Sequence, residues 1–351
     1  MKEIPANGNC VSAEFCVKSP KLWRAETPNL YKIVYELFAS GETDRAEGYF
    51  GFRSVGIEGD KIYINGVKVF QRLVLDQGYY VDSVYTAKSD AELKKDILLA
   101  KRMGFNGARL HQKVFERRYL YYADKLGFYV WGEFPCWGFD HSRDDASVYF
   151  YPEWKAVVER DYNHPSIICW CPMNENWDYQ GKKQNDCFVK DIYEKTKVLD
   201  PTRFVIDVSW NYHVKTDVYD VHDYCPDVNE FRSRYLKFED GKVFDEFNQK
   251  YSGQPYILSE YGGIKWKNFS DAFGYGETPL SEEEFLKKYV AYSDVLHKNA
   301  RICGLCYTQL YDVEQEQNGL FFFNRKPKFG KKQMNILRDA MCKKSEYEEN
   351  E

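Results

Sequence analysis

Two hydrophobic periods divide the chain. Tyr31, Ile33, Tyr35 and Leu37 alternate with Lys32 and Glu36, the period-two pattern of a strand with one face covered. Residues 48–55 read as a second strand broken by Gly48 and Gly51. An immunoglobulin-like sandwich needs about 100 residues. Residues 1–58 are therefore predicted to form a partial immunoglobulin-like β-sandwich, roughly half of one. Residues 61–67 read as a hairpin around Asn65-Gly66. From there, short continuous apolar runs alternate with stretches of helical spacing. The runs are residues 69–75, 105–110, 128–132, 164–171, 204–208, 218–221, 256–259 and 302–310. Helices are predicted from the capping boxes at Ser89-x-x-Glu92 and Ser281-x-x-Glu284, over 115–126, 154–162 and 187–199, and around Met334, Leu337 and Met341. The weakest helical signal lies between the fifth and sixth runs. The pattern predicts an α/β fold, a (β/α)8 TIM barrel over 59–342, with the charged tail 343–351 disordered.

The ends of two predicted strands carry the chemistry. Ile167-Ile-Cys-Trp-Cys171 is uninterrupted and apolar, as in a parallel strand covered on both faces. Pro172 cannot donate to a ladder, so pairing is expected to stop near Cys171 and leave Asn174 and Glu175 past the strand end. Alone, that pair reads equally as a helix cap or a turn. Glu260, closing the run Ile257-Leu258-Ser259, supplies a second carboxylate in a matching place. Parallel barrels put their active sites at this end, and two carboxyls on one cavity are the minimum for glycoside hydrolysis. Glu175 is expected as acid/base, desolvated by Trp170 and Trp177, and Glu260 as nucleophile kept ionised by Arg109. Asp76, Gln77, His111, His222, Gln309 and Trp177 are further candidates to contact substrate, because all fall at or near strand ends. Each has a plainer reading as turn former, core histidine or packing aromatic. Arg109 has a plainer reading as a structural ion pair, which the site role outweighs, and Glu133 is its candidate partner.

Composition narrows the class. A net charge of −5 over 351 residues argues against a nucleic-acid partner. No run of 18 apolar residues exists to span a membrane, and the start Met1-Lys2-Glu3-Ile4-Pro5 is polar. Several of the ten cysteines sit inside apolar runs, so reduced thiols and a cytoplasmic location are expected. Cys303 and Cys306 are three apart in a strand and point to opposite faces, which disfavours a redox or metal pair. No His/Asp/Glu spacing suits a metal, so neither metal nor cofactor is expected. An incomplete sandwich leaves strand edges open, which makes a homo-oligomer through that region plausible.

These motifs together resemble glycoside hydrolase family 2, the β-galactosidases, β-glucuronidases and β-mannosidases. The resemblance rests on His164-Pro-Ser-Ile-Ile-Cys-Trp followed by Asn174-Glu175, on Phe50-Gly-Phe-Arg53, Ile64-Asn-Gly66, Gly104-Phe-Asn106 with Arg109, Asp124-Lys-Leu-Gly127 and Ser259-Glu-Tyr-Gly262, in that order. It implies a retaining mechanism with Glu175 as acid/base and Glu260 as nucleophile. It also implies that Arg109 lies beside the nucleophile, that Asn174 binds the sugar 2-hydroxyl and that Tyr224 contacts the nucleophile. The chain departs from the family in lacking the sugar-binding jelly roll and in carrying Asp76-Gln77 and Leu110-His111-Gln112 where other motifs are usual. The Asn-x-Lys with which glucuronidases hold the sugar carboxylate reads here as Asn318-Gly319-Leu320. A neutral sugar and a β-galactosidase-like exo-glycosidase follow as the first reading. An endo-glycanase of a related barrel family and a catalytically silent carbohydrate-binding protein stay open.

Overall fold

In the computed structural model, residues 3–5, 8, 10–176, 178–179, 181–210, 212–236, 243–244, 249–266 and 272–349 are described. The eight apolar runs become eight parallel strands: Gln71–Asp76, Gly107–Leu110, Tyr129–Glu133, Ile167–Cys171, Phe204–Val205, Tyr219–Asp223, Tyr256–Gly262 and Ile302–Thr308. Every residue of the third, fourth, sixth and eighth is buried, which is why these runs read as continuous rather than alternating. The ladder runs in the order five-four-three-two-one-eight-seven-six. The Asp217 amide, donating to the Val205 carbonyl at 3.0 Å, joins strands five and six across the seam.

Among the described residues seven helices surround the strands: α1 Asp90–Arg102, α2 Arg117–Leu126, α3 Ala146–Asp161, α4 Asp186–Leu199, α5 Val228–Leu236, α6 Glu282–His297 and α7 Lys331–Met341. Ser281 caps α6 by accepting from the Glu284 amide at 3.1 Å. Ser89 makes no such bond, although Glu92 reaches back to the Lys88 amide at 2.8 Å. Helix α3 begins eight residues before the predicted start, because Pro152 is taken into its second turn instead of opening a new segment. Among the described residues no helix joins strands five and six, as the weak signal there suggested.

Pairing does not end at Cys171. Pro172 interrupts the fourth strand for one residue, then Met173–Asn174 pairs in parallel with Val208–Ser209, the continuation of strand five. That extension carries Glu175 into the barrel mouth, where its amide donates to the Ser209 carbonyl at 3.1 Å.

The amino-terminal part is a nine-pair antiparallel hairpin, Tyr31–Ala39 with Glu42–Phe50, whose Val34, Tyr35, Leu37 and Phe38 are exposed. The expected boundary at 58 is misplaced, since Val55–Glu58 pairs with Lys61–Ile64 and belongs to one three-stranded sheet with Val67–Lys68. Asn65 (φ 54°) and Gly66 (φ 72°) form the predicted turn. Trp23 is fully buried and donates its indole N–H to the Asp124 carbonyl at 2.7 Å. Arg53 donates to the carbonyls of Pro165 and Ile167, tying this part to the entry of strand four. The tail is not disordered over 343–349. Glu346–Glu349 forms a short helix α8, Tyr347 is buried and its hydroxyl accepts from the Ile62 amide at 2.9 Å, and Glu348 pairs with Arg72 at 2.6 Å. No described helix is long and apolar enough to cross a membrane, and all ten cysteines are free thiols.

Candidate active site

Local irregularities aim the carboxylates. Strands six and seven slip by one residue at Ser259, so that His222 lies opposite Glu260. Such a bulge re-aims the side chains beyond it. Glu175 sits at φ 49°, a left-handed conformation that costs a non-glycine residue energy and is held by the surrounding structure.

The two carboxylates meet at His222. Nδ1 of His222 is 2.6 Å from Glu175 Oε1, and its Nε2 is 3.4 Å from Glu260 Oε1. One oxygen from each glutamate and a nitrogen of His222 lie within 4.8 Å of one another. Such a donor set would also fit a divalent cation, although Arg109 already supplies positive charge at 3.1 Å from Glu260. The partners of the two acids differ. Glu260 is 4% exposed and accepts from Arg109 Nη1 and from the Tyr224 hydroxyl. Glu175, with its side chain 30% exposed, has His222 as its hydrogen-bond partner. Burial raises the pKa of both: Arg109 opposes the rise at Glu175, while at Glu260 His222, Arg109 and Tyr224 oppose it and the nearby Glu175 adds to it.

Arg109 is fully buried and committed to protein: Nε donates to Glu133 at 2.6 Å, Nη1 to the Ser259 carbonyl at 2.7 Å and to Glu260, and Nη2 to Asn174 Oδ1 at 2.9 Å. Four of its five N–H groups are thus engaged by protein, and these bonds hold other groups of the site in place. Because Asn174 turns its oxygen to Arg109, its Nδ2 is left with no partner, as is Nδ1 of His111. Both are buried polar atoms awaiting a partner.

Behind His222 lies a second polar layer. The Ser209 hydroxyl donates to Asp220 Oδ2 at 2.7 Å and its oxygen is 3.1 Å from His222 Nε2. Ser259 also bonds Asp220. Burial lowers the His222 pKa to about 4 against the pull of Glu260, so the ring is neutral. In His213 burial is outweighed by Asp207 and Asp220, and its pKa rises to about 9.

Other expectations divide. Tyr224 bonds Glu260 and Thr308 and stacks on Tyr275 with centroids 3.4 Å apart. Gln77 and Gln309 bond each other at 2.9 Å on the side of strands one and eight. Asp76 does not reach the site: its oxygens accept from the Gly78 amide and the Tyr311 and Tyr119 hydroxyls. Trp170 points outward, packed on Trp154 of α3 and bonded to Asp200, so it does not desolvate Glu175. Trp177 lies outside the described residues. Trp266 packs on Phe285 and Phe329, whereas Trp137 is exposed at the rim, bonded to the Asn174 carbonyl at 3.0 Å and edge-on to His111. Sequence reasoning missed Ser209, Asp220, Tyr275, Thr308 and Glu316. For Tyr275 a signal existed in Gly262-Gly263, because a Cβ on Gly263 would fall 2.4 Å from the Tyr275 ring.

Comparisons with known proteins agree with this arrangement. The family described as "Glycosyl hydrolases family 2, TIM barrel domain" matches residues 55–341, and "Glycosyl hydrolases family 2" matches residues 2–53. A beta-galactosidase of Thermoanaerobacterium thermosulfurigenes is 28% identical over 258 residues, 70% of this chain and 33% of that protein. A beta-glucuronidase of Paenibacillus borealis is 27% identical over 307 residues, 81% of this chain and 50% of that protein. The chain thus spans half or less of the length of these relatives. In fold it resembles the β-D-glucuronidase of Dictyoglomus thermophilum (TM-score 0.74, 22% identity, 93% of this chain and 60% of that one). It also resembles a GH2 β-galacturonidase of Eisenbergiella tayi bound to galacturonate (TM-score 0.72, 19% identity, 94% and 61%). Since the first match takes in every barrel strand and both glutamates, the chain belongs to glycosyl hydrolases family 2, a family of β-glycosidases.

Proposed function

We propose that the chain is a retaining, exo-acting β-glycosidase for a neutral terminal sugar, with a β-galactoside its first substrate. The observation that carries this reading is the approach of Glu175 and Glu260 oxygens within 4.8 Å, combined with their unequal partners. Retaining enzymes set the two carboxyls about 5–5.5 Å apart, inverting ones roughly 6.5–9.5 Å. Glu260, bonded by Arg109 and Tyr224, is the ionised member and the nucleophile.

Glu175 is the protonated member. The Ser209 hydroxyl lies 2.7 Å from Asp220 Oδ2 against 3.3 Å from Ser259 Oγ, which favours donation to Asp220 and leaves its oxygen to accept from His222 Nε2–H. Arg109 Nη1, 3.4 Å from the same nitrogen, has given its hydrogens to Ser259 and Glu260. With Nε2 protonated in this neutral ring, Nδ1 accepts, and the proton on the 2.6 Å contact belongs to Glu175. Glu260 attacks the anomeric carbon while Glu175 protonates the departing oxygen. Water, deprotonated by Glu175, then releases the sugar from Glu260. Asn174 Nδ2 is free to donate to the sugar 2-hydroxyl.

A uronide is the second reading, favoured by the relatives named for glucuronides and galacturonides. Against it, four cations among the described residues are engaged by protein: Arg109 as described, Lys113 to the Gly78 and Tyr85 carbonyls, Lys328 to Asp312 and Arg325 to Asp96.

Kinetics on a panel of nitrophenyl β-glycosides test the assignment. Glu260→Gln should be nearly inactive on every substrate. Glu175→Gln should lose about 10²–10⁴-fold on poorly activated leaving groups and much less on activated ones. Full activity of either variant across the panel would reject it.

A further inference from the structure

The geometry points to Glu316 as the residue that selects the charge of the sugar: its carboxylate, fixed on the pocket wall beside barrel strands one and eight, accepts from sugar hydroxyls and turns away a ring carboxylate. The inference rests on the reading of this site as a glycosidase for a neutral sugar.

Four side chains form the wall. Gln77 Nε2 donates to Glu316 Oε2 at 2.8 Å and to Gln309 Oε1 at 2.9 Å. Asn318 Nδ2 donates to Glu316 Oε1 at 3.2 Å, and Gln309 Nε2 donates to Asn318 Oδ1 at 2.8 Å. Both carboxylate oxygens therefore accept amide hydrogens, the pattern of an acceptor-only, ionised group. Two amide bonds leave lone pairs unused, and among the described residues no ion pair neutralises Glu316. Among the described residues this half-buried carboxylate is met by neutral amides and by no cation within ion-pair distance.

The wall adjoins the groups around Glu260. Gln309 follows Thr308, whose Oγ1 is 3.0 Å from the Tyr224 hydroxyl bonded to Glu260. Tyr275, stacked on Tyr224, stands among three carboxylates: after burial, Glu260, Glu175 and Glu316 all help to hold its phenol protonated. Glu316 itself is pinned in a tight turn, its amide donating to the Val313 carbonyl at 2.8 Å and its carbonyl accepting from the Val313 amide at 3.0 Å. The neighbouring Gln317 amide donates to the Phe273 carbonyl at 2.8 Å, which straps this turn to the segment carrying Tyr275.

This arrangement also relocates the sequence comparison with glucuronidases. Leu320 is fully buried and its amide bonds the Gln309 and Leu310 carbonyls, so that position presents no side chain to a sugar. The polar pair two residues apart on the wall is Glu316 and Asn318. An acid here puts negative charge where a uronate would need a positive partner.

The test measures kcat/KM for 4-nitrophenyl β-D-galactoside and 4-nitrophenyl β-D-glucuronide with the unmodified chain, Glu316→Gln and Glu316→Ala. The unmodified chain should favour the galactoside, and both variants should raise the glucuronide-to-galactoside ratio by about tenfold or more, the scale of one removed like-charge contact. Alanine introduces no amide to clash with Gln77 and Asn318, so it reads the charge effect if glutamine disturbs the wall. A ratio within twofold of the unmodified chain in both variants overturns the role of Glu316 while leaving the neutral-sugar reading intact. An unmodified chain that prefers the glucuronide, or cleaves neither, overturns that reading and this inference with it.

Discussion

Asn174, Glu175 and Glu260 stood out because each closes an apolar run, a signal that a turn former or an inward-facing polar residue gives as well. Their partners were legible only in part. Arg109 reads as a cation near the site, but nothing local says that Glu133, Ser259, Glu260 and Asn174 engage four of its five N–H groups. Asp76 carries the same strand-end signal as Glu260, yet Gly78, Tyr119 and Tyr311 turn it inward, and those bonds span up to 235 positions. Ser209 gave no signal at all, since a serine acts only through what it bonds. Its role has a measurable consequence for pH dependence. In the proposed mechanism the acidic limb of kcat/KM reports ionisation of Glu260 and the basic limb the loss of the Glu175 proton, both displaced upward by burial. Ser209→Ala removes the acceptor for Nε2–H and lets His222 turn its Nδ1–H toward Glu175, favouring the ionised acid. The basic limb should then move to lower pH and the acidic limb stay nearly still; a profile that drops evenly without moving either limb would contradict this.

At the scale of elements, the alternation of strand and helix was readable and the interruptions were not. Pro172 correctly marks a missing ladder bond, but the ladder resumes at Met173–Asn174 because strand five has a matching continuation at Val208–Ser209. The helix predicted from residue 154 in fact starts at Ala146 and runs through Pro152. Helix α5 lies where no periodic signal was seen, its buried residues being Phe231 and Tyr235. The slip at Ser259, which aims Glu260, depends on the pairing partner and cannot be seen in one strand. Beyond it, Gly263 (φ 55°) gives room for Tyr275 to lie on Tyr224. Gly263→Ala should therefore lower kcat/KM by about tenfold or more, as expected for a misplaced nucleophile partner. Tyr224 fluorescence accessibility or a thermal scan would separate this from unfolding: a variant with unchanged kcat/KM would show that the stack is idle.

At the scale of the molecule, the strand pattern of the amino-terminal piece was readable, but its attachment was invisible to the sequence. It is held by long-range contacts that no local pattern encodes: Trp23 to Asp124, Arg53 to Pro165 and Ile167, and the Ala25 carbonyl packed so close to Gly127 that a Cβ there would lie 2.1 Å away. Trp23→Ala should cost about 3–5 kcal/mol in urea unfolding, the range for a fully buried large aromatic. A loss under about 1 kcal/mol would mean that this segment is only loosely docked. The tail was misread for a similar reason: its charges suggested disorder, while Tyr347 and Glu348 find partners in the sheet near residue 62 and at Arg72.

All three scales converge on a division of labour between two glutamates in one mouth. The most direct test is to react the chain with a slow 2-deoxy-2-fluoro-β-galactosyl donor and map the labelled peptide by mass spectrometry. The account predicts one sugar per chain, esterified to Glu260 and absent from Glu260→Gln. A label on Glu175 or elsewhere, or turnover that releases the inverted sugar with no covalent adduct, would contradict it.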